Sequence, residues 1–325
     1  MSVSHRATDA ETLLAAARTG DRAALARLLS LVERGGEPAR DVGRRTHPLG
    51  GDAYTVGITG APGSGKSTLT GRITGELRGA GDRVAVLAID PSSPFSGGAI
   101  LGDRVRMQDH ALDDGVFIRS MATRGHLGGL ALATPEAVRL LDAAGYPWIL
   151  LETVGVGQVE VEVAGAADTT VVVVTPGWGD GVQAAKAGLM EIADIFVINK
   201  SDRPGVAETE RDLAGMLELT QLASDGWRPP IVRTTATSGE GVGDLVAAVT
   251  EHRRWLTEGG GLARRRAARA SDELHGILVA RLVDRVRRAE RGSAFEEARA
   301  AVVGHEVDPW TASDDLLALL EDDHG

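Results

Sequence analysis

The sequence predicts an α/β fold with a mostly parallel, doubly wound β-sheet, preceded and followed in the chain by helices. Two observations predict this class. Short apolar runs rich in Val and Ile, typical of buried parallel strands, alternate with longer amphipathic segments in the central part of the chain. On either side of that part, apolar residues recur at helical spacing instead. The predicted strands have the sequences YTVGIT, RVAVLAID, VFIRS, WILLET, TTVVVVT, DIFVINK and PIVRT.

The composition of the chain excludes several classes of function. The chain of 325 residues is 43% hydrophobic and 25% charged, which is ordinary for a globular protein. Its net charge of -11 argues against general nucleic-acid binding, for which a basic surface is expected. The absence of cysteine excludes disulfides, thiolate metal sites and cysteine nucleophiles. We see no apolar run of membrane-spanning length and no signal peptide, so we expect a cytoplasmic protein without a membrane partner.

The chain divides into three predicted parts. Residues 1–52 form a helical segment, whose stretch ETLLAAARTGDRAALARLLSLVERG contains two helices, with Asp21 as the N-cap of the second. Gly and Pro punctuate residues 35–52, which we predict to be a loop. Residues 53–258 form the sheet domain, and residues 259–325 form a C-terminal helical segment.

The C-terminal segment opens with glycines and a basic run, EGGGLARRRAARA. We interpret Arg264–Arg266 as a solvated helix face, with binding of a partner or a polyanion as the alternative. Further on, ELHGILVARLVDRVRR carries apolar residues at helical spacing, which predict either an intrachain core or a dimer surface. These residues are Leu274, Ile277, Leu278, Leu282 and Val283.

A phosphate-binding loop (P-loop) follows the first predicted strand. It fits the pattern G-x-x-x-x-G-K-[ST] in full and lies between a strand and a helix, which is the context that the motif requires. Its glycines let backbone N–H groups close around the β-phosphate at the positive end of the helix. We expect Lys66 to place a charge on the β- and γ-phosphate oxygens, and the Ser67 hydroxyl to bind Mg²⁺. The predicted nucleotide contacts are Gly60, Ala61, Pro62, Gly63, Ser64, Gly65, Lys66, Ser67 and Thr68.

A second motif, NKSD, ends the sixth predicted strand and indicates guanine. The Asp202 carboxylate can accept from both N1–H and the 2-amino group of guanine, whereas adenine has neither donor in that place. The later stretch TTATSGEGVGDL is typical of the loop whose backbone N–H groups contact guanine O6, here at Thr235 and Ala236. Together with Asn199 and Lys200, these residues predict GTP and GDP rather than ATP as the ligand.

Three acidic residues are candidates for the magnesium side of the site. Glu152 lies in ETVG, where a strand end places a carboxylate and a following glycine N–H near the γ-phosphate. Asp90 ends a strand in LAIDPSSPFSGGAILGDRVRM, and Asp103 lies in the same segment. With Ser67 they form the predicted Mg²⁺ ligand set, and each acid has an N-cap or a salt bridge as its alternative role. Lys66, Asp90 and Glu152 are also the residues expected to act on the γ-phosphate.

These motifs together resemble one family. GITGAPGSGKSTL, VAVLAIDPSSPFSGGAILGDRVRM, FIRSMATRGHLGGLA, ETVGVGQVE and NKSD are similar to the MeaB/ArgK family of SIMIBI-class P-loop GTPases. The resemblance implies a homodimer built partly from the C-terminal helices. It implies slow intrinsic GTP hydrolysis that rises when a cobalamin-dependent acyl-CoA mutase binds, above all methylmalonyl-CoA mutase. It further implies that GTP gates the transfer of adenosylcobalamin to the mutase and protects the mutase from inactivation.

The resemblance assigns the same phosphate, magnesium and guanine residues as the motifs do. It adds a switch segment, TPGWGDGVQAAKAG, whose charged members Asp180 and Lys186 are further candidates for the catalytic machinery. The sequence departs from the family's commoner ETVGVGQSE at Val159, which removes a hydroxyl group there.

Two other functions compete with this one. A nickel-type metallocentre-assembly GTPase would usually carry Cys or His clusters, whereas Cys is absent here and the 8 His are scattered. A kinase linked to arginine/ornithine transport would transfer the phosphoryl group to a protein, for which we find no sequence feature. The cobalamin motif D-x-H-x-x-G is missing from the sequence, so that cofactor is expected on the partner.

Overall fold

The computed structural model describes most of the chain, namely residues 9–90, 110, 112–122, 129–153, 159–177, 188, 190–219 and 226–322. The seven apolar runs form strands in it. The strands are β1 (Tyr54–Gly60), β2 (Val84–Asp90), β3 (Val116–Ala122), β4 (Trp148–Thr153), β5 (Thr169–Val174), β6 (Ile195–Asn199) and β7 (Ile231–Thr234).

These strands form one sheet in the order β3-β2-β4-β1-β5-β6-β7, and every pairing in it is parallel. The predicted α/β class is confirmed, and each predicted strand overlaps an observed one. The chain first runs outward from β1 through β2 to β3, and later crosses to β5 on the other side. The carboxyl ends of β1, β4 and β5 therefore border the crevice where α/β sheets bind ligands.

Helices precede the sheet, connect its strands and follow it. They are α1 (Ala10–Arg18), α2 (Arg22–Arg34), α3 (Gly36–Thr46), α4 (Lys66–Gly79), α5 (Gly129–Ala143), α6 (Val159–Ala166), α7 (Val206–Leu219), α8 (Val242–Glu258), α9 (Gly261–Ala289), α10 (Ser293–Val303) and α11 (Pro309–Asp322).

The start of α2 lies where the sequence predicts it. Asp21 Oδ1 accepts hydrogen bonds from the N–H groups of Ala23 at 2.8 Å and Ala24 at 3.0 Å. A carboxylate at this position satisfies donors that the first turn of a helix leaves free. The predicted N-cap is confirmed.

The prediction of a loop for residues 35–52 is wrong over most of that range, because α3 occupies Gly36–Thr46. Pro38 lies in the first turn of α3, where a missing N–H removes no helical hydrogen bond. Ala39 and Val42 are buried, so packing stabilises a helix that the local composition disfavours.

The core lies in layers on both faces of the sheet. Alternate residues of each strand point to opposite faces. Leu87 and Leu151 pack beneath α1, α2, α3, α5 and α6, whereas their neighbours Val86 and Leu150 pack with Leu69 of α4 and with α8 on the other face. A smaller cluster joins α7 to β5 and β6. The sheet is therefore doubly wound, as predicted.

Three arginines at the start of α9 bind two buried aspartates at the amino ends of β5 and β6. We call Arg265, Arg266, Arg269, Asp168 and Asp194 the arginine clamp. Arg265 donates to both carboxylate oxygens of Asp194, at 2.7 and 2.9 Å. Arg266 donates to Asp168 at 2.8 Å, and Arg269 donates to the same carboxylate. The predicted solvated face is therefore wrong for Arg265 and Arg266, because the carboxylates that they bind are only 9% and 1% exposed.

A buried polar chain lies beside the clamp. Tyr54 Oη and His252 Nδ1 both contact Thr169 Oγ1, at 2.6 and 2.8 Å. Burial lowers the pKa of His252 to about 4, although the Asp194 carboxylate opposes this effect, so the ring is neutral near pH 7. Burial also raises the pKa of Tyr54 to about 12. These groups lie at the amino edge of the sheet, opposite to the edge that carries the P-loop.

The chain separates into two compact units, one up to Ala270 and the other from Ser271 onward. On the part of α9 in the second unit, Leu274, Leu278 and Leu282 are 69%, 54% and 52% exposed. These three side chains are therefore not packed in an intrachain core, and the alternative of a dimer surface stays a prediction. Across the described residues, no helix combines the length and the apolarity needed to cross a bilayer.

Candidate nucleotide-binding site

The P-loop joins the carboxyl end of β1 to the start of α4, at the centre of the sheet. Gly60 has a φ of 133°, and a Cβ there would overlap the carbonyl group of Val173 on β5. Gly65 has a φ of 94°, and a Cβ there would overlap the side-chain amide of Asn199. Only glycine fits these two positions without strain, and the first N–H groups of α4 stay available to an anion.

Lys66 and Ser67 begin α4 and are only 7% and 9% exposed. Lys66 Nζ donates to Gly60 O at 2.6 Å and to Ala61 O at 3.1 Å. The ammonium group is thus held inside the loop that would surround the phosphates. From there it can supply the charge that a P-loop lysine places on the β- and γ-oxygens.

The Ser67 hydroxyl donates to Glu152 Oε1. Glu152 is 1% exposed and lies near the end of β4, paired in register with Ile58 of β1. A hydroxyl and a carboxylate oxygen side by side are hard donors of the kind that Mg²⁺ prefers. These two members of the predicted ligand set therefore fit the ion.

The other two predicted magnesium ligands, Asp90 and Asp103, lie in or next to a part of the chain outside the described residues. Asp90 ends β2 at the carboxyl edge of the sheet, but the structure does not describe its side chain. Asp103 lies outside the described residues, as do Asp180 and Lys186 of the predicted switch segment. Within the described part of the chain, no group of three or more His, Cys, Asp or Glu side chains is arranged to hold a metal ion.

The guanine motif is hydrogen-bonded directly to the P-loop. Asn199 is 1% exposed, and its Nδ2 donates to Ser64 O at 2.7 Å. Lys200 adopts a φ of 60°, and its Nζ donates to Gly63 O at 2.6 Å. Two consecutive side chains therefore fix the position of the predicted base site relative to the predicted phosphate site.

The loop after β7 completes the predicted base site. Asn199 Oδ1 accepts from the Ala236 N–H at 3.1 Å, and the hydroxyl groups of Ser201 and Thr235 are 2.9 Å apart. Asp202 lies in the turn after β6 with an exposed side chain, open to a ligand. The structure thus brings the predicted guanine residues together at one edge, and their roles in binding stay predictions.

One residue near this site was missed by the sequence analysis. Arg72 lies on α4, and its guanidinium group donates to Ala236 O at 3.0 Å and to Thr237 O at 2.7 Å. Nothing in the local sequence distinguishes this arginine from those on other helices. Its target is more than 160 residues away in the chain, so only the folded structure reveals the contact.

Comparison with known proteins supports the assignment of a nucleotide-binding site. A family model described as methylmalonyl-CoA mutase-associated GTPase MeaB matches residues 25–291. The chain belongs to the MeaB family. Membership of the MeaB family and the observed fold assign GTP binding and hydrolysis to this chain in general terms.

Relatives of this MeaB-family protein share its sequence over different fractions of the chain. A protein of Pyrococcus abyssi named as a GTPase is 50% identical over 94% of this chain and 95% of its own. The mitochondrial methylmalonic aciduria type A homolog of Mus musculus is 40% identical over 66% of this chain and 52% of its own. A crystal structure of a LAO/AO transport system kinase matches with a TM-score of 0.71 and 26% identity, over 98% of this chain and 100% of that one.

Proposed function

We propose that this protein is a GTP-hydrolysing chaperone of a cobalamin-dependent acyl-CoA mutase. It gates the delivery of adenosylcobalamin to the mutase and protects the mutase, with methylmalonyl-CoA mutase as the expected partner. The observation that carries this proposal is the match of the MeaB family model to residues 25–291, a span that contains both the P-loop and the guanine motif bonded to it. The name of the mouse relative supports the same partner.

Nucleotide binding uses groups that the fold already holds in place. The P-loop N–H groups and the first turn of α4 bind the phosphates, and Lys66 turns from loop carbonyls to phosphate oxygens. Asp202 accepts from N1–H and the 2-amino group of guanine, and the N–H of Ala236 turns from Asn199 Oδ1 to O6. Asn199 and Lys200 hold these two halves of the site at a fixed separation.

Hydrolysis depends on positioned charge around the γ-phosphate more than on covalent chemistry. Ser67 and Glu152 would hold Mg²⁺, which supplies positive charge to the β- and γ-oxygens when bound. Their mutual contact and burial keep both oxygens in one orientation before nucleotide arrives. Asp90 and Asp103 complete this proposed ligand set, and Asp180 and Lys186 are the proposed charged members of the partner-responsive switch.

We also propose that the protein acts as a homodimer through the exposed apolar face of α9. Leu274, Leu278 and Leu282 follow one another at intervals of one helical turn and are more than half exposed. A contiguous apolar face of this kind marks an interaction surface. The C-terminal helices are also where the family resemblance predicts the dimer contact.

The central test measures GTP hydrolysis by the purified full chain, alone and with saturating methylmalonyl-CoA mutase. We expect slow turnover alone and a clear acceleration with the mutase. Lys66→Ala should lose nearly all turnover in both conditions, because the P-loop charge is gone. Equal rates with and without mutase, across acyl-CoA mutases of several substrate classes, would remove the chaperone function and leave only a GTPase.

The same preparation separates the two competing functions. A transport-linked kinase would transfer the γ-phosphate of labelled GTP to a protein rather than to water. This alternative is considered because the chain is similar to the LAO/AO transport system kinase structure. A nickel-assembly GTPase would bind Ni²⁺ stoichiometrically in a calorimetric titration. The chaperone proposal expects free phosphate as the product and no stoichiometric nickel.

A further inference from the structure

Arg72 reaches from the helix behind the P-loop to the loop that recognises the base. We call residues 235–241, between β7 and α8, the base loop. Arg72 Nε donates to Ala236 O at 3.0 Å, and Arg72 Nη2 donates to Thr237 O at 2.7 Å. The fork of one guanidinium group thus binds the carbonyls of two consecutive residues in the base loop.

The base loop is held from two sides at the same residue. On the β6 side, the Ala236 N–H donates to Asn199 Oδ1 at 3.1 Å. On the α4 side, Arg72 binds the Ala236 carbonyl. The loop closes on itself through a hydrogen bond from the Thr235 N–H to Glu240 O at 2.9 Å, and Arg72 ties it to the P-loop helix.

We propose that Arg72 is a positioning residue for the recognition of guanine O6. Arg72 holds the carbonyl of Ala236, the residue whose N–H is predicted to contact O6, and so restrains the backbone of that residue from its carbonyl side. Arg72 does not touch the base, and it acts through the backbone of the base loop. The inference rests on the proposed guanine specificity and on contact between this backbone and O6.

Analogues of guanine can distinguish a specific effect of Arg72 on the recognition of O6 from a general loss of affinity for the base. O6 is recognised by the base loop, whereas N1–H and the 2-amino group are recognised by Asp202. The nucleotide 6-thio-GDP replaces O6 by sulfur and keeps the other two groups. The nucleotide IDP lacks the 2-amino group and keeps O6. Loss of Arg72 should therefore change discrimination against 6-thio-GDP and spare discrimination against IDP.

The experiment measures affinities of the full-length parent and variants for GDP, 6-thio-GDP, IDP and ADP by displacement of a fluorescent GDP. Arg72→Gln removes the charge and the fork. Arg72→Lys keeps the charge, reaches one carbonyl and should recover part of the effect. The matched control is Arg78→Gln on the same helix, because Arg78 binds the Asp113 carboxylate at 2.8 and 2.9 Å and not the base loop.

We expect Arg72→Gln to lower the preference for GDP over 6-thio-GDP by about fivefold, the effect of one neutral hydrogen bond. The preference for GDP over IDP should stay within about twofold of the parent, and Arg78→Gln should change neither ratio. The proposal is overturned if both ratios fall together in Arg72→Gln, or if neither changes. If Arg72→Gln does not fold, Arg72→Lys decides by the same two ratios. A parent that binds GDP no better than ADP would instead refute the guanine specificity itself.

Discussion

Replacing Asp168 by Asn should destabilise the protein strongly, although the two side chains have nearly the same shape. The Asp168 carboxylate accepts from Arg266, from Arg269 and from the Thr55 N–H, the last at 3.0 Å. Asn keeps an oxygen for the Thr55 N–H. It removes the negative charge that two arginines share and presents an NH₂ group to at least one of them.

The magnitude follows from burial. Asp168 is 1% exposed, whereas Arg266 and Arg269 are 30% and 24% exposed, so water reaches the cations only in part. Removing one partner of a buried ion pair costs about 3–5 kcal/mol, and partial hydration of the arginines brings the expected loss to about 2–4 kcal/mol. For a unit of this size, each kcal/mol lowers the melting temperature by about 2–4 °C, so the variant should melt roughly 5–15 °C below the parent.

The assay is thermal and urea unfolding of parent and variant, followed by circular dichroism at pH 7.5. The matched control is Asp284→Asn, because Asp284 forms an ion pair with Arg288 at 3.0 Å in which both side chains are more than 60% exposed. That control should change stability by at most about 0.5 kcal/mol. Equal melting temperatures for the two variants would refute the reasoning, because burial would then have no effect on the cost of losing the charge.

The pH dependence of this variant gives an independent check. Burial raises the pKa of Asp168, but the hydrogen bond from Arg266 and the charges of Arg269 and Arg266 lower it by more, so it lies below its ordinary value of 3.8. A carboxyl whose pKa is depressed by folding stabilises the protein above its unfolded-state pKa, and this contribution is lost as the pH falls through the folded-state pKa. The stability difference between parent and Asp168→Asn should therefore be full at neutral pH and should shrink below about pH 4.

Three further predictions address the base, a buried histidine and assembly. Asp202→Asn should lose at least about a hundredfold in GDP affinity and gain preference for xanthine nucleotides, because an acceptor becomes a donor; unchanged GDP affinity in a displacement assay would contradict this. Because burial lowers the pKa of His252 from 6.5 to about 4, stability should be full above pH 6.5 and fall toward pH 4, by about 2 kcal/mol at pH 5. In urea unfolding at pH 7.5 and 5, His252→Gln should remove this loss of stability between the two pH values. An unchanged loss would show that another group causes it. Leu278→Glu combined with Leu282→Glu should weaken the proposed dimer at least about tenfold in sedimentation equilibrium, because charges would be buried at the interface; an unchanged dimer would move the interface away from α9.

The sheet could be predicted from sequence because its signals are local. Buried parallel strands need continuous runs of Val, Ile and Leu, and these runs stand out against the amphipathic helices between them. The P-loop and NKSD motifs are local as well, and a parallel sheet brings the carboxyl ends of their strands to one edge. The proximity of Asn199 to the P-loop therefore follows from motif and topology together.

The errors come from contacts that join distant parts of the chain. The segment of α3 contains Gly and Pro, and its helix is stabilised by packing of Val42 that composition does not reveal. The basic run predicts a solvated face for Arg265 and Arg266, because basic runs on helices are usually solvated. Their partners Asp168 and Asp194 precede them by 98 and 71 residues, a separation over which no sequence pattern applies.

The arginine clamp also constrains how the protein folds while it is being made. The ribosome delivers the chain from its N-terminus, and Arg266, which binds the Asp168 carboxylate, follows it by 98 residues. At synthesis rates of roughly 5–20 residues per second, the nascent chain holds Asp168 for roughly 5–20 s before its cations exist. A carboxylate without a partner resists burial, so the amino ends of β5 and β6 stay hydrated during this interval. We therefore expect the amino ends of β5 and β6 to become fully buried only after the first turns of α9 are synthesised, and a chain truncated before Arg265 to be cleaved by proteases faster than the full chain.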